Sequence, residues 1–197
     1  MNWIVVCLLI VWIYVLTVLY RAKLGFWYYV TGSVGFFTFA MIFIEPLAVP
    51  ILQKQVAAVA GIFGELTGMY DSYFKAGILF ISHNSTNLSL YIDFECSGVI
   101  EILAFLSLLI FFKVYSHYER VVVGLMGTLL IFIFNVLRLF IICAVVYFGG
   151  MDYYFISHTI IGRVFFYACT VLLYFYVFTK PQILRQNLGG FRHDYTG

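Results

Sequence analysis

Charge is scarce in this chain: Asp, Glu, Lys and Arg make up 10% of its 197 residues, against about a quarter in an ordinary soluble domain. Hydrophobic residues make up 64% and the mean hydropathy is +1.02, so the chain reads as an integral membrane protein. No basic run is present; nothing points to a nucleic-acid partner, and a net charge of +2 says little about others. None of the four cysteines, Cys7, Cys96, Cys143 and Cys169, stands in a CxxC pair, which argues against a zinc knuckle or a thiol–disulfide exchange motif. Asp93, Glu95 and Asp152 polarise one face without forming a carboxylate cluster of metal-site type. No small-residue cleavage site follows the first apolar segment, which is therefore expected to be a retained span. At this length one membrane-embedded domain, 1–197, is expected, with function inside the bundle or in its longest loop.

What the chain does have is spanning segments. Residues 3–20 and 24–44 are uncharged apolar runs split by Arg21 and Lys23, and about twenty helical residues cross a hydrocarbon core of roughly 30 Å. Residues 98–112, 121–148 and about 155–178 are three more, and each carries ionisable groups: Glu101, Arg138, and His158 with Arg163. Such groups are costly in lipid, so they are expected to face the bundle interior. The fold class expected is thus all-α and polytopic, with about five transmembrane helices.

Between the second and third spans, residues 46–70 place Leu52, Val56, Val59, Phe63, Leu66 and Tyr70 at helical spacing, which suits a helix lying in the interface or re-entering it. If it spans instead, the count is six. Residues 77–95 predict a β-hairpin, with Leu88, Leu90, Ile92 and Phe94 on one side and Ser89, Tyr91 and Asp93 on the other. Asn84 and Asn87 begin N-x-S/T triplets, which matter only in a host that glycosylates. His83 in the hairpin turn and His117 in a loop read as solvated groups.

Short loops rich in Lys and Arg stay cytoplasmic. With five spans and the amino terminus outside, Arg21, Lys23, Lys113, Arg120, Lys180, Arg185 and Arg192 fall inside, the last three in a tail from residue 180, and only Lys54 and Lys75 fall outside. The hairpin, Cys96 and the loop before His158 then share the extracytoplasmic side.

Cys96 and His158 are expected at the outer starts of two different spans, at one depth. Arg138 lies ten residues below the end of the fourth span at Phe148, roughly 15 Å at 1.5 Å per residue, a gap that its long side chain shortens. Asn135, three residues earlier on the same helical face, is placed to bond a neighbour or hold the guanidinium. A thiol attacks as thiolate, and a nearby cation or a helix amino terminus lowers its pKa from about 8.5. His158 is the candidate base, Gly98 leaves the backbone open, and Arg138 suits either a substrate carbonyl or an oxyanion. Together these are the parts of acyl transfer through a thioester. Glu101 is expected to form a supporting ion pair with Arg138 or Arg163, or to orient His158.

The motifs "ECSG" (Cys96, Ser97, Gly98), "FNVLRL" (Asn135, Arg138) and "SHTIIGRVFF" (His158, Gly162, Arg163), in that order and each attached to a predicted helix, resemble the exosortase/archaeosortase family of membrane cysteine transpeptidases. The resemblance covers roughly residues 75–178, and the small size is similar to the compact Gram-positive type called exosortase G. It implies an enzyme of the bacterial plasma membrane, with its site on the extracytoplasmic face and no cofactor. The partner implied is an exported, membrane-anchored protein whose carboxy-terminal signal is a short motif, a transmembrane helix and a basic tail. The enzyme would cut near the motif and pass the acyl group to a cell-envelope glycan or lipid. By this resemblance Cys96 is the nucleophile, His158 the base and acid, and Arg138 the oxyanion or positioning group, with residues 46–70 and the hairpin as the cleft wall. Two rivals belong to other classes. A small transporter would spread charges through the full depth and show internal repeats, and neither is seen; a silent partner subunit would only bind a substrate helix.

Overall fold

The computed structural model describes residues 3–83 and 86–183, so Asn84 and the tail residues Arg185 and Arg192 lie outside the described residues. The chain forms helices α1 (Trp3–Arg21), α2 (Gly25–Phe43), α3 (Glu45–Thr67), α4 (Val99–Phe111), α5 (His117–Gly149) and α6 (Met151–Ile183). Between α3 and α4 lie strands β1 (Asp71–Tyr73), β2 (Ile78–His83) and β3 (Thr86–Tyr91), on which Asn87 falls. The protein is an all-α polytopic membrane protein with one small sheet. Five helices, α1, α2, α3, α5 and α6, are long and apolar enough to cross a membrane. At 13 residues α4 is only roughly 20 Å long and needs the segments at its ends to complete a crossing.

By length, then, α3 qualifies as a span where the sequence favours an interfacial helix. Its packing partners lie on two different helices. A single residue, Ile44, in right-handed helical conformation joins it to α2, a joint that kinks a chain but supplies no loop to reverse it. Its first half packs on Val99 and Leu103 at the start of α4, and its second half on Val136, Leu139, Ile142 and Cys143 in the later part of α5.

The helix ends earlier than its periodicity suggests, because Gly68 takes the left-handed conformation (φ 68°) that closes a helix. Tyr70 is therefore not on the helix; it folds back beside it, and its hydroxyl donates to the carbonyl of Ala60 at 2.6 Å. The buried face is also small rather than bulky. Ala57, Ala60, Gly61 and Gly64 are covered while Leu66 is 77% exposed. A Cβ at Gly61 would sit 2.7 Å from Ser72 Cβ, so β1 needs that glycine for its close approach.

The predicted hairpin is an antiparallel sheet of order β1-β2-β3. Its register sets Leu79 opposite Leu90 and Ile81 opposite Leu88, with Leu79, Ile81 and Leu90 buried and Phe80, Ser89 and Tyr91 outside. Past β3, the Ile92 amide donates to Gly77 O (2.9 Å) and Gln53 Nε2 of α3 donates to Ile92 O (2.8 Å). The segment leading to Cys96 is thereby fixed on both sides.

His117 opens α5 rather than sitting in a loop, although it is exposed. The cause is a capping box: Ser116 Oγ accepts from the Glu119 amide, and Glu119 Oε2 accepts from the Ser116 amide at 2.8 Å. The far end of the bundle gathers its cations. Lys113 Nζ lies 4.9 Å from the Tyr28 ring centroid, and Arg21, Lys23 and Lys113 line one cleft.

Candidate active site

Cys96 lies in a turn between β3 and α4 that is bonded within itself. Asp93 Oδ1 accepts from the Cys96 amide (2.9 Å), and Ser97 Oγ donates to Phe94 O (2.7 Å). Gly98 closes the turn at φ 78°, and a Cβ there would lie 3.3 Å from Asn135 Nδ2. Both the backbone angle and the space call for glycine. Asn135 uses that closeness: its Nδ2 donates to the Cys96 carbonyl at 2.7 Å. It holds the Cys96 backbone and not the guanidinium.

Two helices deliver the remaining groups. Arg138 of α5 is 4% exposed, and its Nη2 donates to Cys96 Sγ at 3.7 Å. The ring of Phe166 lies 5.7 Å from its Cζ, a cation–π contact inside the bundle. His158 of α6 places Nε2 3.3 Å from Cys96 Sγ. Its ring stacks on Tyr154 one turn earlier, with centroids 5.7 Å apart. The helix is of π type over Ser157–Ile161, one of the single-turn bulges that recur where a side chain must be re-aimed. Gly162 follows, and a Cβ there would meet Ile142 Cδ1 at 2.8 Å. That glycine lets α6 approach α5 closely enough for the imidazole and the guanidinium to share one sulfur.

Electrostatically the sulfur differs from expectation. Burial pushes the Cys96 thiol up to about 12, the Arg138 charge pulls it down only in part, and Asp93 and Glu95 push it further up. Burial outweighs the cation because the residue is 1% exposed and the low-dielectric surroundings disfavour the thiolate. The backbone amide of Cys96 is taken up by Asp93, and α4 starts only at Val99, so the helix terminus does not offset this. Cys96 therefore rests as a thiol and needs a base in contact. Since the folded value lies above the ordinary one, the fold favours the protonated form; this contribution is complete below about pH 8.5 and is lost as pH rises towards 12. Alkylation of Cys96 in the folded chain should keep accelerating about tenfold per pH unit from pH 7 to 10. In the detergent-unfolded chain the same rate should level off near pH 9, and parallel profiles would refute the shift.

Glu101 does not form the expected ion pair. Among the described residues Arg163 pairs with Glu95 at 3.1 Å, both partners being part-exposed, because Glu95 projects from the Cys96 turn towards α6. Glu101 instead lines a cavity of about 280 Å3 with Phe94, Glu95, Ile100, Arg138, Arg163 and Tyr167. The walls of this cavity are thus the turn, α4, α5 and α6, whereas buried residues of α3 and the sheet share a core cluster with Cys96 and do not line it. A larger, apolar cavity of about 720 Å3 runs from Leu52 and Phe132 to Arg120. It shares no lining residue with the cavity beside Arg138.

Asp93, Glu95, Tyr154 and Phe166 are the residues that sequence reasoning left out of the site. The signals available were an Asp three residues before the cysteine, as in side-chain-capped turns, and a Tyr four residues before the histidine. The Arg163–Glu95 and Arg138–Phe166 contacts join distant segments and have no local signal.

Neither a curated protein nor a solved structure matches the chain. The family model for transmembrane exosortases matches residues 1–175, including α1 and α2, which resemble the family only in general character when read by motif. With the match running from the first helix almost to the end of α6, the chain belongs to the transmembrane exosortase family.

Proposed function

We propose that the chain is a cysteine transpeptidase that cuts the carboxy-terminal sorting signal of exported proteins through a thioester on Cys96. Family membership makes it, in general terms, a membrane-embedded sorting transpeptidase. The observation that carries the finer reading is one buried sulfur flanked by an imidazole nitrogen at 3.3 Å and a guanidinium nitrogen at 3.7 Å.

The chemistry follows from those neighbours. His158 Nε2 takes the thiol proton as Sγ attacks the substrate carbonyl, and Arg138 faces the oxygen on which negative charge develops. His158 then gives the proton to the leaving amine, the C–N bond breaks, and the fragment carrying the substrate's transmembrane helix departs. An amine or hydroxyl of a cell-envelope glycan or lipid, or water, attacks the thioester and passes its proton through His158 back to the sulfur. Asn135 and Asp93 hold the Cys96 backbone throughout, as positioning residues. The gathering of Arg21, Lys23 and Lys113 at the end away from Cys96 supports a site on the extracytoplasmic face of a bacterial plasma membrane.

The thioester is the testable core. Neutral hydroxylamine cleaves thioesters to hydroxamic acids, so cells treated with it should release an exported protein whose new carboxy terminus is a hydroxamate, seen by mass spectrometry. Its absence from a strain that still processes that protein would rule out the covalent route.

A further inference from the structure

The cavity beside the sulfur is polar within an apolar bundle, and its charges cancel. Arg138 and Arg163 come from α5 and α6, Glu101 from α4 and Glu95 from the Cys96 turn, with the Tyr167 phenol beside them. The space belongs with the reacting atom, since Arg138 both lines it and contacts Cys96 Sγ. Arg138 is 4% exposed, yet its Nε has no hydrogen-bond partner among the described residues, and neither has Oε2 of Glu101 on the facing helix. One is a donor and the other an acceptor. An ionic ligand would meet repulsion from one pair of walls as it gained attraction from the other. An apolar ligand would leave both polar groups unmatched. A neutral group that both donates and accepts matches both.

We infer that this cavity, about 280 Å3, seats the side chain of the substrate residue next to the scissile bond and selects a neutral hydroxyl or carboxamide: Ser, Thr, Asn or Gln. The inference rests on the thioester reading above. Glu101 is then a specificity-determining residue, acting through the charge balance of the cavity and not on the sulfur.

The test uses an exported protein that keeps its carboxy-terminal helix only when Cys96 is replaced by Ala, with the residues on each side of its cleavage point randomised in the native host. The wild-type enzyme should process Ser, Thr, Asn or Gln at one of those positions at least tenfold better than Leu or Asp. Glu101→Gln leaves the cavity with a positive charge in excess and should move that preference about tenfold towards Asp and Glu. Arg163→Gln leaves a negative excess and should move it towards Lys; as a part-exposed position it provides the arm that folds if Glu101→Gln does not. Opposite shifts of this kind do not arise from damaged packing. A wild-type preference for Leu, or one preference shared by all three enzymes as for a cavity that holds only water, overturns the inference. If no exported protein depends on Cys96, the thioester reading falls and takes the subsite with it; if one does and its selection ignores the cavity charge, the subsite alone falls.

Discussion

Cys96→Ala should abolish processing, leaving an exported protein in the membrane with its carboxy-terminal helix attached and its mass raised by that fragment. The loss should be complete rather than partial, because an alanine supplies no atom to carry the acyl group, and a base and an oxyanion donor without a nucleophile retain only a small residual rate. Cys143→Ala is the matched control. Both cysteines are buried, free and in the same core cluster, so a general sensitivity of the core to losing a sulfur would strike both. Cys143 has neither the imidazole nor the guanidinium contact among the described residues, and its replacement should cost stability only, about 1 kcal/mol for a small buried group. Comparing intact masses of exported proteins in the two strains reads both outcomes. An inactive Cys143→Ala beside a working Cys96→Ala would overturn the site.

Arg138→Met should lower processing by about 10²–10³-fold, the usual effect of removing an oxyanion donor, while leaving the folded bundle no less stable. The second half follows from burial. The guanidinium has no carboxylate within salt-bridge distance among the described residues, its Nε is unmatched, and its neighbours are a sulfur and an aromatic face. Replacing a buried charge by an apolar side chain of similar volume is often neutral or stabilising. Thermal unfolding in detergent, set beside processing in the host, separates the two effects. A variant that loses both would mark Arg138 as a structural residue. Arg138→Lys should restore little, since a single ammonium cannot reproduce the planar fork that contacts the sulfur and faces the substrate at once.

Arg138 and His158 were legible in the sequence because each is a costly residue type inside or at the margin of a lipid-soluble run, and Cys96 because it stands at the junction where an alternating run gives way to apolar helix. The meeting of the three was less so. It depends on a π turn in α6 and on Gly162, and neither leaves a pattern that periodicity can detect. The extra strand, β1, was hidden for a related reason. Helical spacing fits Tyr70 as well as Leu66, and only Gly68 marks the stop. The run 98–112 is apolar from end to end, so hydropathy could not reveal that its two end positions are caps and not helix; the glycine at 98 closes a turn, and Phe112 is already extended. Sulfur acidity was misjudged because sequence shows which charges are near a thiol but not how little water reaches it.

The π turn at Ser157–Ile161 carries one more residue than an α-helical path would need, a surplus that rotates everything after it by roughly 100°. Chain length in that turn therefore sets the phase between the imidazole and the glycine that lets its helix dock. Shortening the turn by a single residue would swing one of them out of alignment, so the arrangement around Cys96 is vulnerable to a deletion even at Ile160 or Ile161, whose exposed side chains should tolerate substitution.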